Sequence, residues 1–289
     1  MDSNQIPELD KLYRDVSSYR NSNAYKELLN FVKRFPKLAP YNAMLIYMQY
    51  PGCQYAATAY EWERFGRYVN LDARPLVILR TFGPVSFVFD VNDTTGTDLP
   101  EDVLNPLKVK GEITEAMFKH LTSNMLNEGV RYSFADQGSG SGGLIRYGGI
   151  PEIIYEIKHV NANSINIRTI FEIVLNKNQT QETNYATILH ELGHMYCGHC
   201  PHPKAKWLPK REFLTRNIIE FEAESVSWLV CERLGIDNPS EKYLNGYLDN
   251  NASIPDISVD SIMKAAGKVE RLIQTSIQPR KELVIKDNE

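Results

Sequence analysis

The chain has 289 residues, of which 43% are hydrophobic and 24% charged, and its formal net charge is −4. At about 150 residues per domain, this length predicts two domains. The acidic balance gives no whole-chain signal for nucleic acid, and no run approaches the ~18 apolar residues of a membrane span. Four cysteines do not make a disulfide framework, and the polar first residues do not resemble a signal peptide. The composition therefore predicts a cytoplasmic protein with no membrane partner.

Periodicity in the first part of the chain predicts helices followed by strands. Helices are expected over 24–37, 41–49 and 60–68, and strands over 76–80 and 85–91. The segment that follows is acidic and rich in turn residues. The sequence thus predicts a first domain over 1–95 and a linker over 96–110.

The first domain also has a distinctive charge pattern. From Lys11 to Arg80 there are eleven basic and five acidic residues, a net +6, together with thirteen aromatic residues. Cations interleaved with rings suit a groove for single-stranded nucleic acid. The candidate contacts are Lys33, Arg34, Trp62, Arg64 and Arg67. The alternative is that the rings, which recur at helical spacing, form the core.

The second part of the chain predicts a helix, a small sheet and further helices. Helices are expected over 112–127 and 256–274, and strands over 130–134, 143–147 and 164–174. The glycine-rich segment 138–143 is interpreted as a lid or an exposed hairpin. The second domain is predicted over 111–278, and the polar tail over 279–289 is expected to fray.

One motif carries a specific chemical signal. His190, Glu191 and His194 form H-E-x-x-H within an apolar helical segment. Residues four apart lie one turn above each other, so both imidazoles can bind one metal ion. Zinc suits two imidazoles plus a third protein ligand, and Glu191 is placed to act as a general base on a water.

The third ligand has competing candidates. Cys197 and Cys200 form C-x-x-C just after the motif and could bind zinc or act as a redox pair. In the next helical segment Glu222 is the only charge on an apolar stripe, where a carboxylate must be paired or bind a cation. Glu222 is therefore predicted as the third ligand, with a buried salt bridge as the alternative. Glu220 and Glu224 are expected on a solvated face.

Several motifs resemble those of ArdC-type antirestriction proteins. In the first part they are Tyr41-Asn42, Ala57–Tyr60, Trp62, Gly66–Val69 and Phe89–Val91, and in the second Leu189–His194 and Glu220–Val230. The resemblance implies an N-terminal domain that binds single-stranded DNA and an ImmA/IrrE-like zincin domain. It also implies Glu222, directly before Ala223, as the zinc ligand.

The combined prediction is an α+β protein with an N-terminal domain and a zincin-like metallopeptidase domain. The predicted function is zinc-dependent cleavage of a protein or peptide substrate, of a mobile-element antirestriction type, with single-stranded DNA as a second partner. Two alternatives stay open. One is a DNA-binding protective protein with little peptidase activity, and the other is a regulatory protease that cleaves a repressor.

Overall fold

The computed structural model describes residues 22–80, 83–99, 112–136, 143–148, 153–158, 164–236 and 254–285. The helices are α1 Ser22–Lys33, α2 Pro40–Gln49, α3 Ala59–Arg64, α4 Glu115–Asn127, α5 Gln181–Cys197, α6 Arg216–Leu234 and α7 Val259–Gln274. The strands are β1 Ala56–Ala57, β2 Arg67–Val69, β3 Leu76–Ile78, β4 Ser86–Asp90, β5 Thr94–Gly96, β6 Val130–Ala135, β7 Gly143–Tyr147, β8 Ile154–Lys158, β9 Ser164–Arg168 and β10 Phe171–Asn176. The mixture of helices and small sheets confirms the α+β class.

Local sequence explains where most of these helices begin and end. Five of them start after a Thr or Ser whose side-chain oxygen accepts a backbone N–H of the first turn: Thr58, Thr114, Thr180, Thr215 and Ser258. Helices α5 and α6 end at Gly198 and Gly235, both in the left-handed conformation that glycine adopts without steric cost. These caps fix the two helices that carry the site.

The sheet next to the site is mixed. Strand β10 is central, pairs with β6 in parallel and with β7 antiparallel, and places Ile145 opposite Ile173. The sequence predicted one strand over 164–174, but the chain breaks it into β9 and β10. At the break, Thr169 donates both its backbone N–H and its hydroxyl to the carbonyl of Ile153. Strand β9 pairs with β8 in a separate sheet.

A continuous buried core joins the two parts of the chain, running from Tyr25 in α1 to Leu283 near the end. Helix α6 contacts α5, α7 and α1, and the ring of Tyr25 lies 5.7 Å from that of Phe221. A division at residue 95 therefore does not separate two independent cores.

The end of the described chain is packed, which differs from the expected fraying from residue 279. Leu283 is buried, and the backbone N–H of Ile285 donates to Asn166. Most of the predicted linker, nearly all of the glycine-rich segment 138–143, and residues 286–289 lie outside the described residues. Among the described helices, none is both long and apolar enough to cross a bilayer.

Candidate metal centre

Helix α5 presents the two histidines of the motif to one point. The Nε2 atoms of His190 and His194 lie 3.0 Å apart, as the four-residue spacing predicted. Both rings are largely buried, with side-chain exposures of 20% and 12%. Imidazole nitrogens this close and this buried need a shared proton or a shared cation.

Helix α6 comes close to this point because of a glycine. A Cβ on Gly193 would lie 3.0 Å from the carbonyl oxygen of Ala223 and 3.1 Å from its Cα. The bare backbone therefore lets α5 and α6 approach at the level of the histidines. Since Ala223 lies between Glu220 and Glu224 in α6, the same approach brings these two carboxylates to the imidazoles.

The two carboxylates take different positions around the histidines. The Oε2 atom of Glu220 lies 3.6 Å from Nε2 of His190 and 3.8 Å from Nε2 of His194. Glu224 is buried, and its Oε2 lies 2.7 Å from Nδ1 of His190. A carboxylate on Nδ1 orients the ring so that Nε2 faces inward, as is usual for a metal-binding histidine.

In the structure Glu222 does not belong to the group of ligand atoms that His190 and His194 form with Glu220. Glu222, predicted as the third ligand, bonds instead to Arg211, His199 and the backbone N–H of Ser258, as the buried salt bridge of the alternative interpretation. The reason is that α6 is enclosed by other helices, so an apolar stripe does not reveal which side faces α5. A better signal was the four-residue spacing of Glu220 and Glu224, which matches that of the histidines.

Glu191 lies beside the histidines and contacts the outer strand of the sheet. It is 6% exposed, and its Oε2 accepts the backbone N–H of Ile145 in β7 at 2.9 Å. Burial raises the pKa of Glu191 above its ordinary value, and His190 and the Ile145 N–H offset this only in part. The result is a carboxylate with one anchored oxygen and a raised proton affinity.

The imidazoles hold unequal proton affinities. Burial alone would lower the pKa of His190, but Glu220 and Glu224 raise it to about 10. Burial, together with His190 and His199, lowers the pKa of His194 to about 3. One positive charge is therefore favoured between the rings, and a metal cation can take the place of the proton.

This donor set fits a divalent cation. His190, His194 and Glu220 each offer one ligand atom, and these atoms all lie within 4.8 Å of one another. Two imidazoles and one carboxylate are a donor set that zinc uses in hydrolytic sites. A second grouping of Cys197, His199 and Glu222 also meets this distance, but Arg211 already neutralises its carboxylate.

The other candidate residues near the motif are poor metal ligands or are bonded within the protein. Burial raises the pKa of the Cys197 thiol and raises that of Cys200 to about 11, so both stay protonated and bind metal poorly. Tyr196 is buried, and its hydroxyl donates to Glu128. His199 lies behind His194, with the two Nδ1 atoms 3.0 Å apart.

Four of the five residues predicted to contact DNA make polar contacts within the protein. Trp62 is 0% exposed and donates its ring N–H to Phe89, so the indole has no face free for stacking. Arg67 donates to Thr94, Thr97 and Val91. Lys33 pairs with Glu232 at 3.0 Å.

Arg34, the fourth of these residues, and Arg64 line a cavity of about 450 Å³ in the first part of the chain. Lys37 and the rings of Phe35, Tyr55 and Phe65 also line it. Arg34 additionally donates to the carbonyl of Cys53. The cavity therefore combines cations with aromatic rings.

Comparisons with known proteins find distant similarity. No protein-family model matches the chain. An uncharacterized protein of Bacillus anthracis is 23% identical over 316 residues, covering 92% of this chain and 50% of that protein. This chain thus spans half the length of that relative.

Among solved structures, the chain is similar to the antirestriction protein ArdC from plasmid R388. The Mn(II)-bound form shows 16% identity and a TM-score of 0.33, covering 81% of this chain and 86% of that one. The metal-free form shows 16% identity and a TM-score of 0.31, covering 81% and 82%. At these values, function has to be inferred from the geometry of the site.

Proposed function

We propose that this chain is a divalent-metal-dependent peptidase in which His190, His194 and Glu220 hold the ion and Glu191 is the general base. The observation that carries the proposal is the convergence of two Nε2 atoms and one carboxylate beside a buried second carboxylate. Zinc is the expected ion, because two imidazoles and a carboxylate suit it.

The residues divide the chemistry of amide hydrolysis between them. A divalent cation bound there would lower the pKa of a water and polarise a substrate carbonyl. Glu191 takes the proton of the attacking water at its free oxygen while Ile145 holds the other oxygen. The raised pKa of Glu191 suits this role, because a base works best near the operating pH. Glu191 then delivers the proton to the leaving amine.

An extended peptide is the substrate class that this geometry favours. Strand β7 pairs with β10 on one side, and the N–H of Ile145 points to Glu191 on the other. The outer edge of β7 therefore runs beside the base, where a peptide can add as a further strand. Together with the sequence resemblance to ArdC-type proteins, this supports an antirestriction protease acting on a protein.

The test combines metal binding with peptide cleavage. The full chain, stripped with chelator, is titrated with Zn²⁺ and separately with Mn²⁺, and cleavage of unfolded casein is followed. Glu191→Gln should keep Zn²⁺ binding and lose about 10²–10⁴-fold in rate, because only the base is removed. His190→Ala should lose both.

Glu212→Gln is the matched control, because Glu212 is an exposed carboxylate paired with Lys210. It should bind Zn²⁺ and cleave like the wild type. Full cleavage by Glu191→Gln would refute the proposed base. Binding of Zn²⁺ without any cleavage by the wild type would favour the protective DNA-binding alternative.

We propose single-stranded DNA binding as a second function, supported by the cavity that Arg34, Lys37 and Arg64 line with three aromatic rings. Cations on a groove follow phosphates, and rings stack on bases. The full chain is the right sample, because a fragment over 1–95 would lose the core it shares with α6 and α7.

Fluorescence anisotropy of a labelled oligonucleotide at several salt concentrations tests this function. Arg64→Gln should weaken binding and reduce the log–log salt slope by about 0.7 for each lost phosphate contact. Lys119→Gln, which removes an exposed lysine of α4, should leave binding unchanged. An unchanged salt slope in Arg64→Gln would show that Arg64 in the cavity does not contact the DNA phosphates.

A further inference from the structure

A chain of hydrogen bonds runs from the imidazole of His194 into a buried ion pair. The Nδ1 atoms of His194 and His199 lie 3.0 Å apart, and Nε2 of His199 lies 2.8 Å from the carboxylate of Glu222. Arg211 donates to both oxygens of that carboxylate, and the N–H of Ser258 donates to one at 2.6 Å. The side chains of His199 and Glu222 are 1% and 0% exposed. Solvent therefore does not compete with these bonds.

The ionised carboxylate of Glu222 determines the direction of the hydrogen bonds that connect it through His199 to His194. An ionised carboxylate can only accept, so Nε2 of His199 must carry a hydrogen towards Glu222. In the neutral ring Nδ1 of His199 then accepts, and Nδ1 of His194 must donate. The lone pair of His194 is left on Nε2, the atom that faces His190. This is the tautomer that a metal ligand needs.

Local sequence places His199 behind His194. Gly198 adopts φ +84° at the end of α5, and the N–H of His199 donates to the carbonyl of His194. The returning loop brings Arg211 back to this turn, where its backbone N–H donates to Gly198 and its side chain donates to Cys197. The turn and the loop together deliver one ring and one guanidinium to Glu222.

We propose that His199 is a positioning residue that fixes the tautomer and ring orientation of His194 for metal binding, with Glu222 and Arg211 as its anchor. The inference rests on the proposed metal centre. In this arrangement the buried carboxylate of Glu222 orients a metal ligand without being one itself. His190 is oriented directly by Glu224, whereas His194 is oriented through an intervening ring.

The experiment measures metal binding to the full chain. Wild type, His199→Leu and His199→Asn are stripped and titrated with Zn²⁺, and the visible spectrum is recorded with Co²⁺. His199→Leu should weaken Zn²⁺ binding about ten- to a hundredfold, because a lost outer partner frees the ligand ring. His199→Asn should recover part of the affinity, because its amide oxygen can accept from Nδ1 of His194. The Co²⁺ spectrum should change most in His199→Leu.

Two further variants separate positioning from folding. Glu128→Gln removes a buried carboxylate paired with Arg280, and should lower stability without changing Zn²⁺ affinity. Arg211→Gln removes the guanidinium, whose side chain is 21% exposed, and keeps the test decisive should His199→Leu not fold. It should weaken Zn²⁺ binding by less than His199→Leu. Thermal unfolding of each stripped protein shows which variants are folded.

Each result has a distinct meaning. Equal Zn²⁺ affinity and equal Co²⁺ spectra in the wild type and in the folded His199 and Arg211 variants would overturn the positioning role and leave the metal centre standing. Affinity lost equally in His199→Asn and His199→Leu would overturn the assigned hydrogen-bond direction. A wild type that binds no metal would overturn the metal centre and this role with it.

Discussion

Helix α6 carries a buried charge near its C-terminal end and a half-buried one near its N-terminal end, and the two have different partners. Near its C-terminal end, Arg233 contacts Glu270 at 2.5 Å and donates to the carbonyls of Val32, Phe35 and Leu38. Near its N-terminal end, Glu220 faces two imidazoles at 3.6 and 3.8 Å. The first group is complete within the protein, whereas the second gathers ligand atoms around one point. Burial of charge alone therefore does not identify a binding site.

Breaking the complete group should have the largest effect. Arg233→Met leaves Glu270 and several carbonyls buried without their donor, and should lower the free energy of unfolding by about 3–5 kcal/mol. Zn²⁺ affinity of the folded variant should stay at the wild-type value. Denaturant unfolding and calorimetry measure the two quantities. Lys33→Met, which breaks the more exposed pair with Glu232, should cost less than about 1 kcal/mol.

Removing the metal should lower stability through the other charge group, near the N-terminal end of α6. At a Zn²⁺ concentration 100 times the Kd, bound metal should add about 2.7 kcal/mol to the free energy of unfolding. Glu220→Gln should abolish most of this gain, because a neutral amide replaces an anionic ligand. Thermal melts with Zn²⁺ and with chelator measure this gain, and Glu212→Gln, at an exposed carboxylate, should keep all of it. Glu222→Gln should lose only part of the gain, because Glu222 orients His194 through His199. Should Glu222→Gln lose the gain while Glu220→Gln keeps it, the original assignment of the third ligand was right.

The contact between α5 and α6 offers a smaller perturbation. Gly193→Ala would place a Cβ 3.0 Å from the carbonyl oxygen of Ala223, so the helices must separate by a few tenths of an ångström. We expect a loss of about 1–2 kcal/mol in stability and weaker Zn²⁺ binding, because Glu220 moves away from the histidines. Gly267→Ala in α7, where the nearest atom is an ordinary 3.6 Å away, is the control. Equal Zn²⁺ affinity in both variants would show that the helix separation does not set the site.

The smallest effect concerns a complete charge group in the mixed sheet. Burial alone would raise the pKa of Glu172, but hydrogen bonds from Ser133 and Arg146 and the charge of Arg131 lower it. A lowered pKa gives stability that is present above the unfolded-state value of about 4.3 and is lost as the pH falls through the folded-state value. Glu172→Gln should lower the free energy of unfolding by about 1 kcal/mol at neutral pH, and its stability should fall less steeply than that of the wild type as the pH is lowered. An equally steep loss of stability with falling pH in both proteins would contradict this.

The sequence was most informative where partners lie on one helix turn. The meeting of His190 and His194 at one point followed from their four-residue spacing alone. The sequence did not show that Glu220, rather than Glu222, lies beside the histidines, because which side of an enclosed helix faces α5 depends on the whole packing. The role of His199 depends on a left-handed turn and a returning loop, which no local pattern encodes.

The aromatic residues of the first part show the same limit. A packed aromatic core and a groove for single-stranded DNA are built from the same residue types, so composition could not tell which of the two these rings form. In the structure Trp62 is buried in the core, whereas Arg64 lines a cavity. Only the surroundings of each side chain distinguish the two uses.

The bonds of Arg233 to the backbone at the end of α1 and just after it have a consequence for how this gene can change. Because these bonds end on carbonyl oxygens, they constrain the backbone path over 32–38 whatever side chains that segment carries. A recombination event that exchanged the first hundred codons for those of a distant relative would have to bring the same path with it. The two halves are therefore expected to be inherited together, and chimaeras joined between residues 99 and 112 should be recovered only from parents that share this path.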